Sequence, residues 1–203
     1  MGKVTTSGTV SLDGYVAGPD ETGFEHLFAW FAGGDLEVPS ANPGVGPSIR
    51  LTEPDHRYLR DVVDGIGVFV IGRRVFDLTD GWGGMHPFDK PVVVVTHAVP
   101  EDWIAAHPDA AFTFVTDGLA AAIEQARAIA GDRNVVVTPG KITSQCLELG
   151  LLDEVSIDLV PVLLGSGVPF FDQLKAAPIL LDGPSLVVEG ERVTHLRYSI
   201  RRP

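Results

Sequence analysis

A chain of 203 residues, 45% of them hydrophobic and 21% charged, suits one compact domain with a sizeable core. Its formal charge of -12 argues against a nucleic-acid or anionic-membrane surface, and no apolar run approaches the roughly 20 residues that span a bilayer. The one cysteine, Cys146, excludes an intramolecular disulfide, and the start MGKVTTSGTV lacks a secretion signal's apolar core, so a soluble cytosolic protein is expected.

In chain order, Val4, Thr6, Gly8, Val10 and Leu12 alternate with other residues and predict a first strand closing at Asp13-Gly14. FEHLFAWFA then reads as a short aromatic helix, packed in the core rather than stacking on a ligand. Residues 33–48, rich in Gly and Pro and without periodicity, are long enough to be a lid or binding loop. A helix over 53–63 leads into the strand IGVFVIG (66–72), and PVVVVTH (91–97) and AFTFVT (111–116) follow as strands. Asp117 is positioned to N-cap a helix whose apolar face is Leu119, Ala122, Ile123, Ala126 and Ile129. NVVVT makes the next strand, and a helix from Lys141 to Leu149 follows at once. EVSIDLVPVLLG reads as a strand, and SLVVEGERVTHLRYSI as a terminal hairpin. Strands alternating with helices imply parallel pairing, and the hairpin adds antiparallel edge strands. The expected architecture is a single-domain α/β/α sandwich over 1–203 with a mostly parallel central sheet.

Several chemistries are disfavoured by spacing. The six histidines (26, 56, 86, 97, 107, 195) form no His-x-x-x-His pair, so they read as structural rather than as metal ligands. No G-x-S-x-G supports a serine hydrolase, which leaves Ser144 or Cys146 as weak nucleophile candidates. Gly140-Lys141-Ile142 ends like a Walker A loop, but Ile142 lacks the magnesium-binding hydroxyl and Val135 replaces the first glycine. Gly165-Ser166-Gly167 meets Phe170 where a dinucleotide fingerprint needs its third glycine.

Two strand ends carry a stronger signal. FVIGRRVFDLTDGW (69–82) ends a strand at Gly72 and places Arg73 and Arg74 at a helix start, where backbone amides and guanidinium forks suit phosphate; a solvated arginine pair is the plain alternative. Thr96-His97 closes another strand, the usual place for ligands in open α/β sheets.

Together these segments resemble the dihydrofolate-reductase-like superfamily, and within it the riboflavin-pathway reductase family (the C-terminal domain of the bifunctional deaminase-reductase), over nearly the whole chain. SLDGYVAG (11–18) is similar to that family's first strand and loop. IGRRVFD is similar to its G-R-x-T-[WYF] helix start, and GLLDEVSIDLVPVLLGSGVPFFD (150–172) to its long G-L-[VL]-D-E through G-x-G-x-x-[LF]-F signature. The resemblance implies hydride transfer from NADPH to a pterin, pyrimidine or related heterocycle, in a protein that pairs as a homodimer, with the apolar hairpin edge as the surface to protect.

Residue by residue, the resemblance places Gly72, Arg73 and Arg74 on the adenosine 2′-phosphate side, assisted by Thr96 and His97. The turn Thr138, Pro139, Gly140, Lys141, Ile142 falls under the pyrophosphate, and Val16 and Ala17 border the nicotinamide. Asp13 matches the S-x-D-G aspartate near the substrate, where it would orient substrate or relay a proton, with Glu25 second. The paired arginines favour NADPH over NADH. Three departures stand out. Val75 replaces the threonine of G-R-x-T, Pro139-Gly140-Lys141 replaces a Gly-Gly-[AGS] turn, and Leu27 stands where dihydrofolate reductases carry their pterin-binding acid, so dihydrofolate is not the expected substrate. The turn also has a plain reading, with Thr138 as N-cap and Pro139 at the first helical position. A non-catalytic member that binds a nucleotide or other ligand is the competing class.

Overall fold

The computed structural model describes residues 2–202. Strand β1 (Val4–Ser11) is followed by the short β2 (Tyr15–Ala17), helix α1 (Phe24–Leu27), the small strands β3 (Leu36–Val38) and β4 (Ile49–Leu51), and helix α2 (Glu53–Gly65). Next come β5 (Ile66–Gly72), α3 (Arg73–Thr79), β6 (Val92–Val95), α4 (Glu101–Ala106), β7 (Phe112–Val115), α5 (Leu119–Ala130), β8 (Asn134–Val137) and α6 (Lys141–Glu148). The chain closes with β9 (Glu154–Val160), β10 (Val168–Pro169), β11 (Leu181–Gly190) and β12 (Val193–Ile200).

One eight-stranded sheet, ordered β11-β12-β9-β1-β8-β5-β6-β7, organises these elements. Its six strands from β9 to β7 are parallel, and β12 and β11 extend it antiparallel. The valine runs explain the parallel part: Val92, Val93 and Val94 are all buried, as strands covered on both faces must be. On one face Val68, Val70, Val93, Val135 and Val137 pack under α5 and α6. The opposite face splits into two clusters, Ile71, Val92 and Val94 with Phe76 of α3, and Leu27, Trp30 and Leu51 with Leu59 of α2. The α/β/α sandwich with an antiparallel C-terminal hairpin is therefore the observed fold. Among the described residues no helix is long and apolar enough to cross a membrane.

Several local expectations are corrected. β1 is buried along both faces rather than alternating, and Leu12 lies beyond it, 62% exposed. The aromatic segment breaks at Phe28 into a four-residue α1 and a 3-10 turn, yet Leu27 and Trp30 are core residues, as the aromatic pattern implies. Residues 33–48 are not wholly irregular: β3 pairs with β4, and Asn42 Nδ2 donates to the Trp82 and Met85 carbonyls (2.7 Å each), pinning the rest of the loop. Asp117 does not cap α5; Gly118, at φ +91°, holds that position without a side-chain cap. Ile129 is exposed, and Ala130 closes the buried face instead. The segment from Glu154 leaves the sheet after Val160.

α2 is fixed to the sheet by a buried polar cluster. His195 Nδ1 lies 2.7 Å from Asp158 Oδ1 and its Nε2 3.2 Å from Asp55 Oδ1, joining β12, β9 and α2. The Tyr58 ring stacks on His195 at 3.8 Å. Burial, with the nearby Asp158 charge, pushes the Tyr58 phenol well above its ordinary value.

Candidate functional site

The C-terminal ends of β1, β8, β5 and β6 form one edge, and the turns that leave them decide what can bind there. After β1, the Gly14 amide donates to the Ser11 carbonyl (2.9 Å), closing a tight turn. Asp13, at its tip, is exposed but engaged. Its Oδ1 accepts from the Ser11 hydroxyl (2.6 Å) and the Leu164 amide (3.1 Å), and its Oδ2 from the Gly165 amide (2.7 Å). The Ser11 hydroxyl foremost, with the Gly165 and Leu164 amides, holds the Asp13 carboxyl below its ordinary value against an opposing desolvation. An aspartate ionised and committed in this way anchors a loop; it is a poor proton donor near neutral pH. Glu25, the second candidate, sits exposed on α1 with only His26 Nε2 beside it at 3.4 Å.

The anchored loop completes the edge. β10 pairs with β2 (Val168 with Ala17), and a side chain at Gly167 would collide with the Ala17 carbonyl at 2.0 Å. Ala17 is buried and Val16 packs into the core beneath, so the face that would border a nicotinamide is firmly backed. Phe170 then bridges two turns through its backbone. Its N–H donates to the Gly14 carbonyl (2.9 Å), and its carbonyl accepts from the Gly140 N–H (2.8 Å).

That last bond bears on both readings of the 138–142 turn. Gly140, at φ +95°, is the residue before α6, and no side chain caps the helix. Thr138 is not the N-cap: its own N–H donates to the Val70 carbonyl, and its carbonyl accepts from Thr143 Oγ1 at 2.8 Å. Pro139 therefore precedes the helix, its ring against β1 where a side chain at Gly8 would meet it at 2.8 Å. The Gly140 amide is spent on Phe170, so only Lys141, Ile142 and Thr143 bring first-turn amides without intrahelical partners. Ile142 meets Gly72 closely (3.1 Å to a Cβ built there), which brings the β5 and β8 turns side by side.

Arg73 and Arg74 leave Gly72 in different directions. Arg73 Nε donates to Asp77 Oδ1 (2.7 Å) and one terminal nitrogen to the Ala98 carbonyl (3.1 Å). Arg74 pairs with Glu21, from the turn beyond β2. Thr96 is buried, and its hydroxyl closes its own turn by donating to the Ala98 carbonyl (2.9 Å); His97 is exposed beside it. The structure thus gathers 13–17, 72–74, 138–142 and 164–171, with Thr96 and His97 adjoining through Arg73 and Ala98, while Glu25 stands apart on the surface.

Sequence reasoning gave no role to Ser11 or Phe170, although both stand in the matched motifs, and missed Glu21 altogether. Phe170 acts through backbone atoms, and Glu21 lies 53 positions before its partner. The two weak nucleophile candidates gain nothing. Ser144 Oγ lies 3.2 Å from both the Gly140 and Asp172 carbonyls, and burial pushes the Cys146 thiol up to about 12.

No protein-family model matches the chain, and no curated protein matches it in sequence. Solved structures do. A protein of Shewanella sp. PV-4 assigned to riboflavin biosynthesis superposes with a TM-score of 0.67 at 21% identity, covering 98% of this chain and 99% of that one. RibD of Acinetobacter baumannii gives 0.63 at 13%, covering 99% of this chain and 58% of that one. The deaminase/5-amino-6-(5-phosphoribosylamino)uracil reductase of Thermotoga maritima gives 0.59 at 12%, covering 98% and 57%. The chain therefore spans a little over half the length of the two bifunctional-type proteins. At such identities the likeness establishes the fold: this is the dihydrofolate-reductase-like α/β sandwich that these riboflavin-pathway proteins share.

Proposed function

We propose that the protein is a reductase that transfers a hydride from a nicotinamide dinucleotide to a small heterocyclic substrate of pyrimidine or pterin type or to a related carbonyl compound. One observation carries the reading: the turns after β1, β5 and β8 and the 164–171 segment meet along one edge of the parallel sheet, at first-turn amides of α6 and α3. The residues fit such a cofactor in outline. The Lys141 and Ile142 amides suit a pyrophosphate, the Val16–Ala17 backbone offers a backed wall for a flat ring, and Gly72 lets the neighbouring turn approach. When bound, the dihydronicotinamide supplies the hydride, and the protein supplies position and electrostatics. Asp13 holds the 164–165 amides and hence the wall. Dihydrofolate is not proposed as substrate, since Leu27 is wholly buried and offers no acceptor to a pterin edge.

A second reading, a ligand-binding member without turnover, has its own support: Asp13, Gly140 N–H and both arginines already have protein partners. Calorimetric titration with NADPH and NADH, followed by turnover over a panel of amino-pyrimidines, separates the two. Tight dinucleotide binding with reduction of a pyrimidine supports the reductase. Binding without turnover of any of them supports the second reading, and no binding heat at millimolar dinucleotide sinks both dinucleotide versions.

We also propose a homodimer. Leu180, Leu181 and Val187 are exposed on or beside the unpaired edge strand β11, a surface that pairing would cover.

A further inference from the structure

NADPH differs from NADH by one phosphate on the adenosine 2′-oxygen. A site that selects it needs cationic donors free to turn toward that phosphate and a local field that welcomes its charge. The resemblance assigns the 2′-phosphate to Arg73, Arg74, Thr96 and His97, and the first three of these are poor in both respects.

Arg73 is held from two sides, by Asp77 one helical turn on and by the Ala98 carbonyl. Arg74 is paired with Glu21, whose side chain is only 22% exposed and so is well placed to keep it. The Thr96 hydroxyl is turned inward on the Ala98 backbone, accepting from its N–H and donating to its carbonyl. Val75 contributes no hydroxyl. Beyond Arg73 an open groove of about 530 Å³ runs between α3 and α4, lined by Asp77, Asp80, Glu101, Asp102 and the Trp103 ring. One guanidinium faces four carboxylates there. Turning Arg73 toward a phosphate would strip it from Asp77 and leave a carboxylate beside the new anion, so little attraction is gained and repulsion is added.

We propose that this end of the cleft selects against the 2′-phosphate and takes a dinucleotide with a free 2′-hydroxyl, so that the protein prefers NADH. A ribose hydroxyl donates to a carboxylate, as it does to acidic residues in other NAD-binding sites, and Asp77 is a carboxylate one helical turn beyond Gly72. Asp77 and Glu21 are then the specificity-determining residues: they neutralise the two arginines that would otherwise favour NADPH. The inference rests on the reading that the cleft binds a nicotinamide dinucleotide at all.

Calorimetric titration of the full chain with NADH and with NADPH at about 0.1 M salt, where screening is moderate, tests it. In the parent protein NADH binds more tightly. Asp77→Asn and Glu21→Gln each free one guanidinium and shift the affinity ratio toward NADPH by about threefold to tenfold, as expected of partly exposed pairs. Both substitutions are surface changes, and melting curves verify that the variants fold. NADPH bound as tightly as NADH or more so by the parent overturns the proposal, and so does a ratio unmoved by both variants. Failure to bind either dinucleotide is a different result: it removes the reductase reading, and the preference falls with it.

Discussion

Asp55 is wholly buried at the third position of α2, and its carboxylate serves three donors: the Thr52 hydroxyl (2.6 Å), the Glu191 amide (3.1 Å) and His195 Nε2 (3.2 Å). Gly190 makes room for it, since a side chain there would overlap Asp55 Oδ1 at 1.6 Å. Replacing Asp55 with alanine strands a ring nitrogen of His195 in an interior where Tyr58 and Trp30 pack on it, and removes the partner of the Glu191 N–H. The two groups left unpaired cost about 1–3 kcal/mol each, about 4 kcal/mol together. For a chain of this size that lowers the melting temperature by about 8–16 °C. Asp55→Asn keeps one acceptor oxygen and should lose about half as much. Urea unfolding followed by circular dichroism, with the slope unchanged, measures both. An Asp55→Ala loss under about 1 kcal/mol would refute the view that this cluster fastens α2 to the sheet.

Three further outcomes follow from the site and its surroundings. Asp13→Asn, with one carbonyl oxygen for three donors, should loosen the 164–170 segment and weaken dinucleotide binding several-fold while the melting temperature barely moves; parent-like binding would show that the anchor does not reach the cleft. Burial pushes His86 down to about 4, and its Nδ1 accepts from the Phe88 N–H (3.1 Å), so the fold holds it neutral. The unfolded chain binds that proton first, so stability is full above about pH 6.5 and falls as pH drops toward 4, by about 2 kcal/mol after discounting for partial exposure. Melting curves of His86→Phe should lose this part of the acid sensitivity, and an unchanged pH profile would contradict the assignment. Light scattering at micromolar concentration should report a dimer, which Val187→Lys on the β11 edge should weaken; a monomeric parent refutes the edge pairing.

How much of this was legible in the sequence depends on how local each cause is. The valine runs of β6 and β8 and the whole of β5, Ile66–Gly72, could be read directly, because burial on both faces writes itself as continuous hydrophobicity. The short strands β2, β3 and β10 could not, since they exist only through partners; Ala17 finds Val168 across the fold. The helix caps failed for a definite reason. Asp117 and Thr138 are good capping side chains, but the turns after β7 and β8 need a residue at positive φ, and Gly118 and Gly140 take the position. Backbone geometry outranked the side-chain bond. The arginine pair was visible at once, whereas its neutralisation was not, because Glu21 reaches Arg74 only in the folded chain.

The residues that carry the resemblance to riboflavin-pathway reductases divide into two kinds. Asp13, Gly14, Gly165, Gly167, Phe170 and Phe171 mostly touch one another: the Asp13 carboxylate takes the Gly165 amide, Gly14 accepts from Phe170, Gly167 packs on Ala17, and Phe171 bridges to Gly140. They are a frame, held by backbone groups and close approaches that tolerate few substitutes, which is why two segments about 150 residues apart carry matched motifs. The departures lie outside this frame: Val75 for threonine, Pro139 and Lys141 for small residues, and an arginine pair answered by Asp77 and Glu21. A frame fixes where a ring and a diphosphate can lie without fixing which ring or how many phosphates. The fold could therefore be read from the frame, while the proposed dinucleotide preference turns on Asp77 and Glu21, two carboxylates outside it.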